Sequence, residues 1–152
     1  MRMPSLPKAL MSAAVICAVL ILAGYVAWAR ESRKVTAMMI ESYDLLEAGK
    51  VDEAQKLYEE VLRQDPGNPL ALNNLGAVMV KKEKYKEALA YLQQALTKAK
   101  DYKVMVNRVC AVNGICLAFR PLEEVYGNQE LEPLIRLNLQ MIQGQMSGVK
   151  PK

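Results

Sequence analysis

Hydrophobic and polar residues recur along much of this 152-residue chain with the period of an amphipathic helix. The clearest stretch runs from Pro69 to Lys98, where two sets of apolar residues follow helical spacing. The first set is Leu72, Leu75, Val78 and Met79, and the second is Tyr85, Ala88, Leu89, Leu92, Ala95 and Leu96. The pattern predicts two helices joined by a short turn.

The helical pair is the second copy of a repeated unit. A shift of 34 residues aligns Met38 with Leu72, Ser42 with Gly76, Leu45 with Met79, Lys50 with Lys84, Glu53-Ala54 with Glu87-Ala88, and Leu62 with Leu96. Asn68 and Pro69 predict the start of the second copy, because Asn caps free amides and Pro suits the first helical position. The small residues Gly76, Ala88 and Ala95 predict a close approach of the two helices.

A long uncharged stretch precedes the repeats. Ala9 to Ala29 comprises 21 residues, which at about 1.5 Å per residue match the roughly 30 Å hydrocarbon core of a bilayer. The predicted membrane-interface residues are Tyr25, Trp28, Arg30, Arg33 and Lys34. We favour a retained transmembrane helix over 9–29. A cleaved signal peptide stays open, because Ala27-Trp28-Ala29 fits a cleavage pattern.

The segments around this span are short and basic. Residues 1–8 form a basic N-terminal lead, 30–34 a basic juxtamembrane segment and 146–152 a loose tail. Positive charges lie on both sides of the span, so they barely discriminate between topologies. We predict a bacterial inner-membrane protein with its repeats outside the cytoplasm; a cytosolic domain is the alternative. No Gly or Pro occurs between Tyr25 and Ala48. This absence of helix breakers predicts that the membrane helix continues into the first repeat.

At this point the repeated unit resembles the tetratricopeptide repeat family. The resemblance is carried by the 34-residue period, by Leu75-Gly76, Tyr85, Ala88, Leu92 and Ala95 in the second copy, and by Ala54, Tyr58 and Pro66 in the first. It implies an all-α fold, in which the N-terminal transmembrane helix is followed by a short α-solenoid. The repeats are expected at 35–68 and 69–102, with a degenerate third repeat or cap at 103–145.

The region after Lys100 departs from the repeat pattern. A third helix is predicted over 103–118 from the apolar residues Val106, Val109, Cys110, Val112, Ile115 and Cys116. A last helix is predicted from Leu131, Leu134, Ile135, Leu137, Met141 and Ile142, with polar Asn138 among them. An atypical terminal unit is expected, because the end of a stacked array must cover an apolar face.

Charge and residue types restrict the function. The net charge of +4 is concentrated near the chain ends, since residues 35–148 hold 13 basic and 15 acidic residues. This balance argues against nucleic-acid binding. The lysines at 81, 82, 84 and 86 predict a solvated turn, with an acidic partner or lipid headgroup as the alternative.

The sequence contains no convincing catalytic group. It has no histidine, and Cys17 lies in the apolar span. Cys110 and Cys116 are expected on different faces of the predicted third helix, where they are too far apart to bond. We therefore predict no catalytic residue, metal, cofactor or small-molecule substrate, and no enzyme activity.

The resemblance implies a concave groove lined by the first helix of each unit. The predicted lining is Thr36, Met39, Tyr43, Leu46, Leu70, Asn73, Asn74, Ala77, Val80, Lys81, Val104, Asn107, Arg108 and Ala111. Its aliphatic, Tyr and Asn side chains suit an apolar or helical segment of a protein partner. The clamp that some family members use to hold a carboxylate is incomplete, because Met39, Tyr43 and Val104 occupy positions that need polar groups.

Two functions remain after this reasoning. We favour a non-catalytic, membrane-anchored scaffold, an accessory subunit that contacts other membrane-protein subunits and the lipid bilayer. The alternative is a receptor, assembly factor or co-chaperone that binds client peptides transiently at the membrane. The shortness of the array favours the scaffold, because long concave surfaces suit diverse clients better.

Overall fold

A computed structural model describes residues 8–100, 102–104, 106–112, 115–121 and 129–147. The chain divides into two compact units, Met1–Lys34 and Val35–Lys152. The first seven residues of the predicted basic lead and residues 148–152 of the predicted tail lie outside the described residues.

The first unit consists, where it is described, of the N-terminal part of helix α1. Its apolar side chains are exposed, including Val15, Ile21 and Tyr25, at 62%, 71% and 64% of their surface. Among the described residues, α1 is the one helix that is long and apolar enough to cross a membrane. Helix α1 extends over Lys8–Glu47, and its continuation beyond the apolar span agrees with the absence of Gly and Pro from Tyr25 to Ala48.

The second unit contains two helical hairpins with the predicted 34-residue period. The helices are α1, whose last turns pack in this unit, α2 (Val51–Gln64), α3 (Pro69–Lys81) and α4 (Tyr85–Lys98). Adding 34 to both ends of α2 gives both ends of α4. The all-α, helical-repeat fold class predicted from the sequence is thereby confirmed.

The turn inside each hairpin has the same backbone geometry. Gly49 has φ of 79° and Glu83, 34 residues later, has φ of 62°. The next residues, Lys50 and Lys84, precede α2 and α4 with nearly equal angles, φ −81° and −90°, ψ 62° and 63°. A left-handed residue at this position reverses the chain, and glycine adopts that conformation without steric cost. The first copy has glycine there and the second has glutamate.

The predicted start of α3 is confirmed. The Asn68 side-chain oxygen accepts a hydrogen bond from the Ala71 amide at 2.9 Å, and Pro69 is the first helical residue. Asn68 also donates to Asp65 at 3.0 Å, which fixes the cap within the turn between the repeats. This cap satisfies one of the free amides at the helix start.

Helix α3 is the centre of the second unit. All its residues from Pro69 to Val80 are buried, and it packs against α2 and α4. A Cβ built on Gly76 lies 2.9 Å from Cγ of Leu92 and 3.4 Å from the Ala88 carbonyl oxygen. Gly76 therefore permits the contact between α3 and α4, as its size predicts. Ala88 and Ala95 are fully buried at the same interface.

The predicted third helix over 103–118 is wrong. This region forms strands β1 (Lys103–Val104), β2 (Val106–Val112) and β3 (Ile115–Pro121), and β2 pairs with β3 in an antiparallel hairpin. Cys110 stands opposite Ala118, and Cys116 opposite Ala111. The Val-rich residues 104–112 precede Asn113-Gly114, and the mostly apolar residues 115–119 follow it. This dipeptide favours a hairpin turn, and β-branched residues favour strands.

The last helix, α5 (Leu131–Met146), is present as predicted. It follows β4 (Gln129–Glu130), which pairs with β1, and the Leu131 amide donates to the Tyr102 carbonyl oxygen at 3.1 Å. Burial raises the pKa of Tyr102, and nearby Asp65 acts in the same direction. Helix α5 packs against α4, where it covers the end of the second repeat.

Candidate partner-binding groove

The predicted groove residues of the first two repeats are mostly buried in the folded chain. Met39, Tyr43, Leu46, Leu70, Asn73, Asn74, Ala77 and Val80 are buried. Thr36 is partly exposed and Lys81 is exposed. Val104, Asn107, Arg108 and Ala111 belong to β1 and β2 rather than to a helix, and their side chains lie outside the described part of the chain. Whether any of these residues binds a partner stays a prediction.

Strand β3 packs along α3, which also contacts α2 and α4. The Asn74 side chain forms a two-way contact with the main chain of Phe119. Its Nδ2 donates to the Phe119 carbonyl oxygen at 2.8 Å, and its Oδ1 accepts from the Phe119 amide at 2.9 Å. A carboxamide thus pairs with one residue of the strand in the way that a neighbouring strand does.

Asn73 and Asn138 bind the strand at Leu117, two residues before Phe119. Asn73 Nδ2 donates to the Leu117 carbonyl oxygen at 2.8 Å, and Asn138 Nδ2 donates to the same oxygen at 3.0 Å. Asn138 also donates to Asn73 Oδ1 at 2.8 Å. Because Asn138 lies on α5, these bonds connect the first helix of the second repeat, the strand and the terminal helix.

The three carboxamides and one hydroxyl form a single buried network, called here the asparagine network: Tyr58, Asn73, Asn74 and Asn138. Asn73 Nδ2 also donates to Asn74 Oδ1, and Asn74 Nδ2 donates to the Tyr58 hydroxyl, both at 3.1 Å. Each Nδ2 therefore makes two hydrogen bonds, and no side chain in the network is more than 1% exposed. Such saturation offsets the cost of burying polar groups.

An ion pair fixes the strand at the edge of the groove. Arg120 Nε and Nη2 donate to the two carboxylate oxygens of Asp44, at 2.8 and 3.2 Å. This bidentate contact raises the pKa of Arg120. The Asp44 side chain is 51% exposed, so solvent weakens the pair and its geometry contributes more to orientation than to stability.

Sequence reasoning missed three of the five side chains on α1, α2, α3 and α5 that make up this arrangement. It included Asn73 and Asn74 in the groove but did not identify Asp44, Tyr58 or Asn138 as members of the site. The polar Asn138 within an apolar helix face was the available signal, because a buried amide requires partners. Nothing in the periodicity indicated that those partners are the Asn73 side chain and the Leu117 carbonyl oxygen.

The described residues offer no arrangement of metal ligands. Within them, no group of three or more His, Cys, Asp or Glu side chains is positioned to hold a metal ion. The predicted absence of a metal, a cofactor and enzyme activity stays a prediction. The side chains of Asn73 and Asn74 are used in hydrogen bonds to the chain itself.

A comparison with known families decides what the paired helices are. A family model described as a tetratricopeptide repeat matches residues 45–107. The chain therefore contains tetratricopeptide repeats within these residues. The match covers α2, α3 and α4 and ends within β2, so β3 and α5 lie beyond it. No curated protein matches the chain.

The repeats imply the general role. Tetratricopeptide repeats mediate contacts between proteins, and the chain is accordingly an interaction scaffold. Proteins of the family are typically non-catalytic. The tetratricopeptide groove of this chain holds an extended strand, which shows that its surface is shaped for a main chain as well as for apolar side chains.

Proposed function

We propose that this tetratricopeptide repeat protein is a membrane-anchored accessory subunit of a larger membrane protein complex. The first unit is the anchor, and the groove and membrane helix are the partner-binding surfaces. The observation that carries the anchor is the row of exposed apolar side chains from Val15 to Val26. A surface of this kind is unfavourable in water, and a bilayer removes it from water.

The basic residues after the span support the same placement. Arg30, Arg33 and Lys34 are exposed, and cations at this position interact favourably with phosphate headgroups. We place the span at 9–29, in a bacterial inner membrane, with the repeats outside the cytoplasm. Tyr25 and Trp28 are then the aromatic residues of the interface.

The groove favours a permanent subunit over a receptor for transient clients. A partner that enters it must take the place of β3, because the asparagine network is saturated by that strand. Replacement of a buried strand is slow and needs a partner that restores the same hydrogen bonds. Such an exchange suits a long-lived complex.

Membrane attachment is tested on the full chain expressed with a C-terminal tag. We expect the intact chain, including Met1, in the membrane fraction after a carbonate wash. The matched variant Leu20→Lys/Leu22→Lys is expected in the soluble fraction, because each charge in the bilayer centre costs about 3 kcal/mol. A mature protein that lacks residues 1–29 by mass spectrometry contradicts the anchor.

Subunit status is tested by extraction in a mild detergent, followed by size-exclusion chromatography and mass spectrometry. A stoichiometric membrane-protein companion supports the accessory role. A chain that elutes alone and recovers many proteins in small amounts supports the receptor or assembly-factor alternative. Protease treatment of spheroplasts reports the side of the membrane, since degradation of the tag from outside supports the proposed topology.

A further inference from the structure

We propose that the groove accepts an extended polypeptide segment with an aromatic residue followed by a basic one, and that this segment enters by replacing β3. The inference rests on the proposed function, because it specifies the partner of the same groove. In the free chain, β3 occupies this site with Phe119 and Arg120. In the complex, the partner's segment occupies the same site.

The main chain is the first feature that the groove recognises. The asparagine network forms four hydrogen bonds to β3, and all four involve the carbonyl oxygens or amide of Leu117 and Phe119. Every extended segment presents these groups at the same spacing, provided that the residue at the Phe119 position is not proline. The network therefore selects an extended conformation rather than a sequence.

Two side chains add sequence preference. Phe119 is 4% exposed, so the aromatic ring is held within the apolar core of the unit. Arg120 reaches Asp44 at the groove edge with a bidentate pair. A partner with an aromatic residue and then arginine retains both contacts, whereas an acidic residue at the second position faces the Asp44 carboxylate and is repelled.

The asparagine network also explains why entry requires exchange. Asn73, Asn74 and Asn138 are at most 1% exposed with β3 in place, and removal of the strand takes away their main-chain partners. Removal of β3 also returns the apolar side chains of Leu117 and Phe119 to water, so an empty groove is a poorly populated state. The apparent affinity for a partner is then reduced by the fraction of molecules in which β3 occupies the groove.

The test uses a fluorescent peptide with the sequence of residues 115–121, in which serine replaces Cys116. Its binding to the full chain in detergent is measured by fluorescence anisotropy. The variant Arg120→Ala loses the pair that holds β3 while retaining Asp44 for the peptide. We expect it to bind the peptide about fivefold more tightly than the wild-type chain does.

Two matched peptides separate main-chain recognition from side-chain recognition. N-methylation of the phenylalanine amide removes the hydrogen bond to Asn74 Oδ1, and we expect at least about a tenfold loss of affinity for the Arg120→Ala chain. Replacement of the peptide arginine by glutamine should weaken binding about fivefold. Circular dichroism confirms that the Arg120→Ala chain retains its helices.

The proposal is overturned if the Arg120→Ala chain does not bind the parent peptide, or if it binds the N-methylated peptide equally well. These results are independent of the accessory-subunit role. If the chain has a stoichiometric companion but binds no peptide, only the proposed replacement of β3 is refuted. Peptide binding by a chain that has no stable companion refutes the accessory-subunit role alone.

Discussion

The two parts of the second unit are held together by different interactions. The repeats, α2 to α4 with the end of α1, pack through apolar and small side chains, as in the contact of Gly76 with Leu92. The hairpin and α5 join the same apolar cluster through residues such as Phe119 and Ile135, and they are held in addition by buried carboxamides that bind the main chain of Leu117 and Phe119. Apolar packing recurs with the repeat, whereas the carboxamide contacts occur at one place in the fold. The difference can be tested by substitutions that affect one part more than the other.

The largest effect is expected for Asn74→Ala. This change leaves the amide and carbonyl of Phe119 without the partner they have now, and the free energy of unfolding should fall by about 4 kcal/mol. Urea denaturation measures the loss. Hydrogen exchange should show lost protection at the Phe119 amide with retained protection in α4.

The control for Asn74→Ala is Gln93→Ala, which removes an exposed carboxamide from α4. Its effect should lie within about 0.5 kcal/mol of zero. Equal stabilities for the Asn74 variant and the wild-type chain contradict the view that the carboxamides hold β3 in place.

The next effect is expected for Gly76→Val, which places a branched side chain where a Cβ alone approaches Leu92 within 2.9 Å. Overpacking between α3 and α4 should lower the free energy of unfolding by about 3 kcal/mol. The matched control is Gly67→Val, because a Cβ at Gly67 meets no atom within 4 Å. Thermal denaturation of both variants decides the point, and equal melting temperatures contradict close packing at Gly76.

The two equivalent turns predict effects of opposite sign. Gly49→Ala forces a side chain into a left-handed residue with φ of 79°, and should destabilise the chain by about 1 kcal/mol. Glu83→Gly relieves the same strain in the second repeat and should stabilise it by about 0.5 kcal/mol. Denaturant titration of the two variants measures both shifts. Shifts of equal sign contradict the equivalence of the turns.

The smallest effect concerns an ion pair between the repeats. Lys82 donates to Asp52 at 2.6 Å and, as the largest influence, lowers the pKa of the Asp52 carboxyl below its usual 3.8. A lowered pKa in the folded state stabilises the chain above pH 3.8, and this contribution disappears as the pH falls through the folded-state value. Asp52→Asn should slightly reduce the acid-induced drop in melting temperature below pH 4. An unchanged pH profile contradicts the contribution of this pair.

Much of the repeat architecture could be predicted from the sequence, because each local signal there agrees with the packing. The Asn68 cap, the size of Gly76 and the 34-residue spacing of the turns all have direct structural counterparts. The strands could not be predicted from apolar periodicity alone. Short apolar runs suit either a helix or a strand, and only Asn113-Gly114 and the β-branched residues near it favoured the latter.

The sequence by itself determined the helical repeat, its period and an apolar segment of membrane-spanning length, because these features depend on the order and spacing of side chains. Only the tertiary structure decided which segment lies in the groove. That choice depends on main-chain amides and carbonyls, which are alike at almost every residue and leave no pattern in the sequence. Asn73 and Asn74 acquire their role when folding brings Leu117 and Phe119, more than 40 residues away in the chain, within hydrogen-bonding distance.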